Sequence, residues 1–75
     1  MTRKELDKLY PRGTIVELLE PINDPYSPKP AGARFKVSFA DDFGQLHGRW
    51  LAPQSGTIAL CTDIDIFKIV EDVHE

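Results

Sequence analysis

Cys61 is the only cysteine in the chain, so no internal disulfide can brace it, and no Cys/His cluster stands at a spacing that holds a structural zinc. No apolar run approaches the length of a membrane span or of a signal-peptide core, so no membrane partner is expected. With the lone thiol, this points to a reducing cytoplasm. The chain also lacks a Gly-rich phosphate loop, a Gly-x-Ser-x-Gly elbow, an EF-hand loop, an internal repeat and a low-complexity tract. No cofactor or metal is expected, and no constellation for catalysis is legible. At 75 residues the chain is long enough for one small domain and too short for a second. A chain of this size buries only about 60% of its unfolded surface, so its stability is expected to be marginal.

What is present is unevenly distributed. The formal net charge is −3 and the pI about 5.3, yet residues 1–37 hold seven bases against five acids, whereas residues 38–75 hold two bases against seven acids. Such a pI argues against broad contact with double-stranded DNA, which demands a basic face. Local binding by the basic first half stays open.

Thr2-Arg3-Lys4-Glu5 has the spacing of a capping box, in which hydroxyl and carboxylate each satisfy an exposed backbone N–H. A short helix should follow with Leu6, Leu9 and Tyr10 on one stripe, ended by Pro11 and Gly13. From Gly13 the period changes, and Thr14–Leu19 reads as a first strand. Pro21, Pro25, Pro28 and Pro30 then fix φ and remove amide donors, so residues 20–33 form a stiff loop that carries Tyr26.

Arg34-Phe35-Lys36-Val37-Ser38-Phe39 alternates strictly, which places Phe35, Val37 and Phe39 on one face of a half-buried strand. Asp41-Asp42-Phe43-Gly44 supplies acidic turn formers and a glycine for positive φ, and so predicts a hairpin into a third strand. In that strand Leu46, Gly48 and Trp50 face in, His47 and Arg49 face out, and Gly48 permits a close approach. After a turn at Pro53–Gly56, Thr57–Leu60 reads as a fourth strand, Cys61–Asp65 as a turn and Phe67–Val70 as a fifth strand. The chain divides into an N-terminal helical arm over 1–12, a β domain over 13–70 and a frayed acidic tail over 71–75. Five short antiparallel strands with a short N-terminal helix predict a mainly β fold, a small SH3-like barrel plugged by Phe35, Val37, Phe39, Leu46 and Ile69. An OB-type barrel fits less well, because the strands are short and no helix separates the third from the fourth.

Asn23-Asp24-Pro25-Tyr26, Pro30-Ala31-Gly32, Asp41-Asp42-Phe43-Gly44-Gln45-Leu46-His47 and Trp50 resemble the motifs of a family of small uncharacterised domains encoded by bacteria, phages and mobile elements. The likeness runs from about Tyr10 to Val70, and it implies an SH3-like barrel while assigning no activity. Members of that family tend to carry a glycine where Phe35 stands and an Asp-Asn-Gly turn where this chain has Leu51–Gly56, so the third turn is longer here.

Among residues able to carry chemistry, His47 has no evident acid–base partner, and Cys61 reads as a small buried thiol after an apolar strand. Asp41 with Asp42, and Asp63 with Asp65, suit turn and cap roles better than a cation cage. The aromatic residues carry more information. Tyr26 on its stiff loop and Trp50 at the end of the third strand can frame a groove, with His47 and Arg49 beside it, and these four form the expected surface for a protein partner. Trp50 and Tyr26 can equally serve as core packing. A nucleic-acid reading uses Arg3, Lys4, Lys8, Arg12, Arg34 and Lys36, together with Arg49, as phosphate contacts. A third reading, taken from the mobile-element setting of the resemblance, is an inhibitor that docks its acidic half on a basic channel of a host defence complex.

Overall fold

The structure is a computed structural model that describes residues 2–71. Helix α1 (Arg3–Leu9) is followed by five strands, β1 (Ile15–Leu18), β2 (Arg34–Ala40), β3 (Gln45–Trp50), β4 (Leu60–Cys61) and β5 (Phe67–Glu71), in one antiparallel sheet of order β4-β3-β2-β1-β5. The strands β1 to β4 form a meander, and β5 returns to pair with β1. The mainly β expectation therefore holds. No pairing joins β4 to β5 among the described residues, so the sheet keeps two edges rather than closing by hydrogen bonds.

The capping box of α1 forms as the sequence requires. Thr2 Oγ1 accepts from the Glu5 amide at 3.2 Å and the Glu5 carboxylate accepts from the Thr2 amide at 3.2 Å, which lowers the Glu5 pKa. Leu6 of α1 is completely buried in the cluster of Val16, Leu18, Ala33, Phe35, Val37, Ala40, Leu46, Trp50 and Leu60, so α1 packs onto the core of the sheet. The radius of gyration, 11.4 Å, matches the ~11 Å of one compact unit of this length.

Phe35 and Trp50 face each other across β2 and β3 and their rings meet at 5.0 Å in a tilted arrangement, at the centre of the core. Two of the five expected core plugs are displaced. The β2–β3 register shifts between Val37 and Phe39, and this bulge turns Phe39 to the outer face, where it is 51% exposed. Ile69 lies on the edge strand β5 and is 38% exposed, because no further strand covers that edge among the described residues. Cys61, expected to be buried, is only half-buried.

The expected fourth strand contracts to Leu60–Cys61. The backbone before it serves Trp50 instead: the indole Nε1 donates to the Ile58 carbonyl at 3.0 Å and the Trp50 amide donates to the Gly56 carbonyl at 3.0 Å. Of the tail expected over 71–75, Glu71 is the last residue of β5 and residues 72–75 lie outside the described residues.

Two positions predict stability directly. A Cβ on Gly48 would stand 2.0 Å from the Lys36 carbonyl oxygen, so Gly48→Ala should lower the unfolding free energy by at least about 2 kcal/mol or abolish folding. The Thr14 hydroxyl is buried without a hydrogen-bond partner, and Thr14→Val keeps the shape while removing that uncompensated group. Urea denaturation should show Thr14→Val more stable than the parent by about 1 kcal/mol.

Candidate functional site

The connection from β1 to β2 is held by more than its prolines. Ile22 and Lys29 exchange backbone hydrogen bonds of 2.8 and 3.1 Å, which closes the loop on itself. Inside it, Asp24 Oδ1 accepts from the amides of Tyr26 and Ser27 at 2.8 and 2.9 Å, an Asx turn that bends the chain at Pro25. Lys29 is buried beneath the loop, where its Nζ donates to Ser27 Oγ at 2.9 Å and lies 5.7 Å from the centre of the Trp50 ring. The braced loop presents Tyr26 to solvent at 95% exposure. Tyr26 does not pack on Trp50; Lys29 occupies that place.

Beside this loop runs a groove of about 420 Å³. Pro21, Ile22 and Pro25 form one wall, and Ile64 and Ile66 of the β4–β5 connection form the other. The Leu19 amide donates to the Ile66 carbonyl at 2.8 Å and joins the two walls. Asp65 Oδ2 accepts from the Cys61 amide at 2.8 Å, while the Asp65 amide donates to the Cys61 carbonyl at 2.8 Å, so this turn is fixed at both ends. Ile64 and Ile66 remain exposed, and Glu20, Asp24 and Asp65 make the lining acidic.

At the far end of β2, the hairpin expected from Asp41-Asp42-Phe43-Gly44 forms with Gly44 at φ +79°. Asp41 organises it. Oδ2 accepts from His47 Nε2 at 2.7 Å, and Oδ1 accepts from the amides of Phe43 and Gln45 at 2.8 and 3.0 Å. An ionised carboxylate only accepts, so Nε2 carries the proton in this bond. The His47 ring stacks on Phe39 at 4.7 Å with 12° between the planes, and Phe43 projects into solvent at the tip.

The four residues expected to make one partner surface are therefore separated. Trp50 is in the core, opposite Phe35, whereas His47 is opposite Phe39, roughly 13 Å further along β2. Tyr26 sits on the loop that enters β2 and His47 near the hairpin that leaves it. Arg49 faces out opposite Lys36, and a cleft lined by Arg12, Lys36 and Arg49 collects three of the bases assigned to phosphate contact. The others are placed differently: Arg34 pairs with Glu17 at 3.1 Å, Arg3 lies 4.0 Å from Asp7, and Lys4 and Lys8 are exposed on α1. Cys61 stands opposite Gln45, and among the described residues no hydrogen bond joins its thiol to His47. Sequence reasoning missed Ile64, Ile66 and Phe39. The alternation Asp63-Ile64-Asp65-Ile66 was the available sign that apolar side chains are displayed between acids, while the turn of Phe39 depends on a bulge that has no local signature.

The fold and these surfaces define a small antiparallel β domain with a capped N-terminal helix, a braced proline loop, an acidic groove and a separate cationic cleft. The family model described as "Domain of unknown function (DUF4314)" matches residues 2–70, and the chain belongs to that family. No curated protein and no solved structure matches the chain at a significant level.

The Asp41 network has a measurable consequence. The His47 side-chain bond, followed by the Gln45 and Phe43 amides, holds the Asp41 carboxyl below its ordinary pKa. A depressed folded-state pKa contributes stability above the unfolded value, and that contribution is lost as pH falls through the folded value. An NMR titration should place the Asp41 midpoint below that of an ordinary aspartate. The stability difference between the parent and Asp41→Asn should shrink as the solution is acidified through that midpoint; a constant difference contradicts the assignment.

Proposed function

We propose that this domain is a non-catalytic interaction module that binds a basic, apolar-anchored segment of a partner protein in the groove between the proline loop and the β4–β5 connection. The observation that carries this reading is Tyr26, a large aromatic side chain left 95% exposed on a loop that four prolines and an Asx turn hold in place. A fixed aromatic offers contact area without the entropic cost of ordering a loop on association. The groove begins at Pro25, next to Tyr26. Its exposed Ile64 and Ile66 are suited to an apolar anchor, and Glu20, Asp24 and Asp65 to flanking lysine or arginine.

The strand order supports an SH3-like reading of the barrel, a meander whose last strand returns to the first, with the groove at one end of it. Asp41 supplies the carboxylate partner that His47 lacked in the sequence, but among the described residues no nucleophile is hydrogen-bonded to the ring, and Phe39 stacks on it. The unpaired thiol of Cys61 suits a reducing compartment.

Peptides that alternate arginine with leucine or proline, and their glutamate-for-arginine counterparts, provide the test. The basic peptides should bind the full chain, perturb the amide signals of Tyr26, Ile64 and Ile66 in NMR spectra, and lose about 10-fold or more in affinity on Tyr26→Ala, corresponding to about 1.4 kcal/mol. Equal affinity for the acidic peptides, or shifts confined to another face, rejects the groove. Tyr26 is exposed, so circular dichroism of Tyr26→Ala should match that of the parent.

A further inference from the structure

We propose that the outer face of the sheet is a second and independent binding site, which takes single-stranded nucleic acid with a phosphate in the Arg12–Lys36–Arg49 cleft and a base on the exposed face of Phe39. The cleft has a volume of about 420 Å³ and is lined by Arg12, Gly13, Lys36, Val37, Ser38 and Arg49. Arg12, Lys36 and Arg49 are all exposed. Among the described residues none of the three makes an ion pair, whereas Glu17 meets both Arg34 and Lys68 on the same sheet.

The fold brings these charges together against their mutual repulsion. Lys36 and Arg49 are directly opposite in the β2–β3 register, an arrangement of like charges that destabilises a sheet. Gly48, with no Cβ, lets β3 approach the Lys36 backbone. The Gly13 amide donates to the Val37 carbonyl at 2.8 Å and the Val37 amide to the Thr14 carbonyl at 2.8 Å, and these two bonds clamp the segment that carries Arg12 onto β2. A bound phosphate would relieve the repulsion.

The next rung of the same face is aromatic. The bulge that displaces Phe39 from the core puts it opposite His47, and Asp41 holds His47 so that the two rings lie flat against each other. Arg49 and His47 are two residues apart on β3, about 7 Å, a separation that one nucleotide spans from phosphate to base. A cationic track beside a stacking platform is the arrangement by which proteins bind single strands without reading sequence. A duplex is disfavoured, since it demands a broad basic face and this chain carries a net charge of −3.

Fluorescence anisotropy of a labelled oligothymidine against the full chain, across a salt series, tests the proposal. An abasic phosphodiester strand and poly-glutamate of similar length serve as comparisons, with phosphatidylserine vesicles as a further anionic probe. Oligothymidine should bind best. The log–log salt slope should be about −0.7, the value for one neutralised phosphate on a single strand, and Arg49→Ala should weaken binding and reduce the magnitude of that slope. Phe39→Ala should weaken binding about 10-fold with the slope unchanged, because stacking releases no counterions. Arg49→Glu should abolish binding while raising the melting temperature, since it replaces a repulsive cross-strand pair with an attractive one. Absent salt-dependent binding, equal affinity for the abasic strand or poly-glutamate, or preference for the vesicles overturns the proposal. Tyr26→Ala should leave oligothymidine affinity unchanged, and Arg49→Ala should leave affinity for the basic peptides unchanged, so each site fails or stands separately.

Discussion

The contact between Phe35 and Trp50 is the one on which the remaining structure depends. In a domain this small, two aromatic side chains supply a large part of the apolar area removed from water, and their tilted contact at 5.0 Å fixes β2 against β3. The same indole reaches in two further directions. Its Nε1 draws in the Ile58 carbonyl and so fixes the long segment between β3 and β4, and its face carries the Lys29 ammonium and so holds down the proline loop. A single side chain connects the core, an irregular segment and the loop that forms one wall of the groove.

The two depressions are built from opposite physical materials. The groove combines exposed isoleucines with carboxylates, and its walls are held by local backbone hydrogen bonds on irregular connections. The cleft is cationic and lies where the α1–β1 connection meets β2 and β3, whose pairing sets Lys36 opposite Arg49 and whose bulge sets Phe39 opposite His47. Folding, not the division of the sequence into a basic and an acidic half, sorts the charge: Glu20 and Asp24 of the basic half line the acidic groove, and Arg49 of the acidic half lines the cationic cleft. An overall charge near neutrality describes neither of them, so the average properties of the chain understate what its surface can distinguish.

The features legible in the sequence are those decided by neighbouring residues. The capping box, the hairpin at Asp41–Gly44 and the alternation through Arg34–Val37 each rest on contacts within a few positions, and each is present. The close approach at Gly48 was also readable, because only glycine fits where a Cβ would meet a carbonyl at 2.0 Å. The misread positions depend on distant partners. Phe39 leaves the core because β2 bulges against β3, and in Thr57–Ala59, which does not become strand, the Ile58 carbonyl accepts from the Trp50 indole. Ile69 is in phase with the core but lies on an edge that no strand covers among the described residues. For the site, Tyr26 and the basic residues could be named from the sequence, but no local pattern tells which of them share a face.

Trp50 is the only tryptophan in the chain, and this gives its contact with Lys29 an optical meaning. Near-ultraviolet excitation above the tyrosine band reports a single, dry indole with a positive charge 5.7 Å from its ring centre. The colour and lifetime of that emission are coupled to the posture of the loop that carries the ammonium, so the protein has a built-in, label-free gauge of whether that loop is seated.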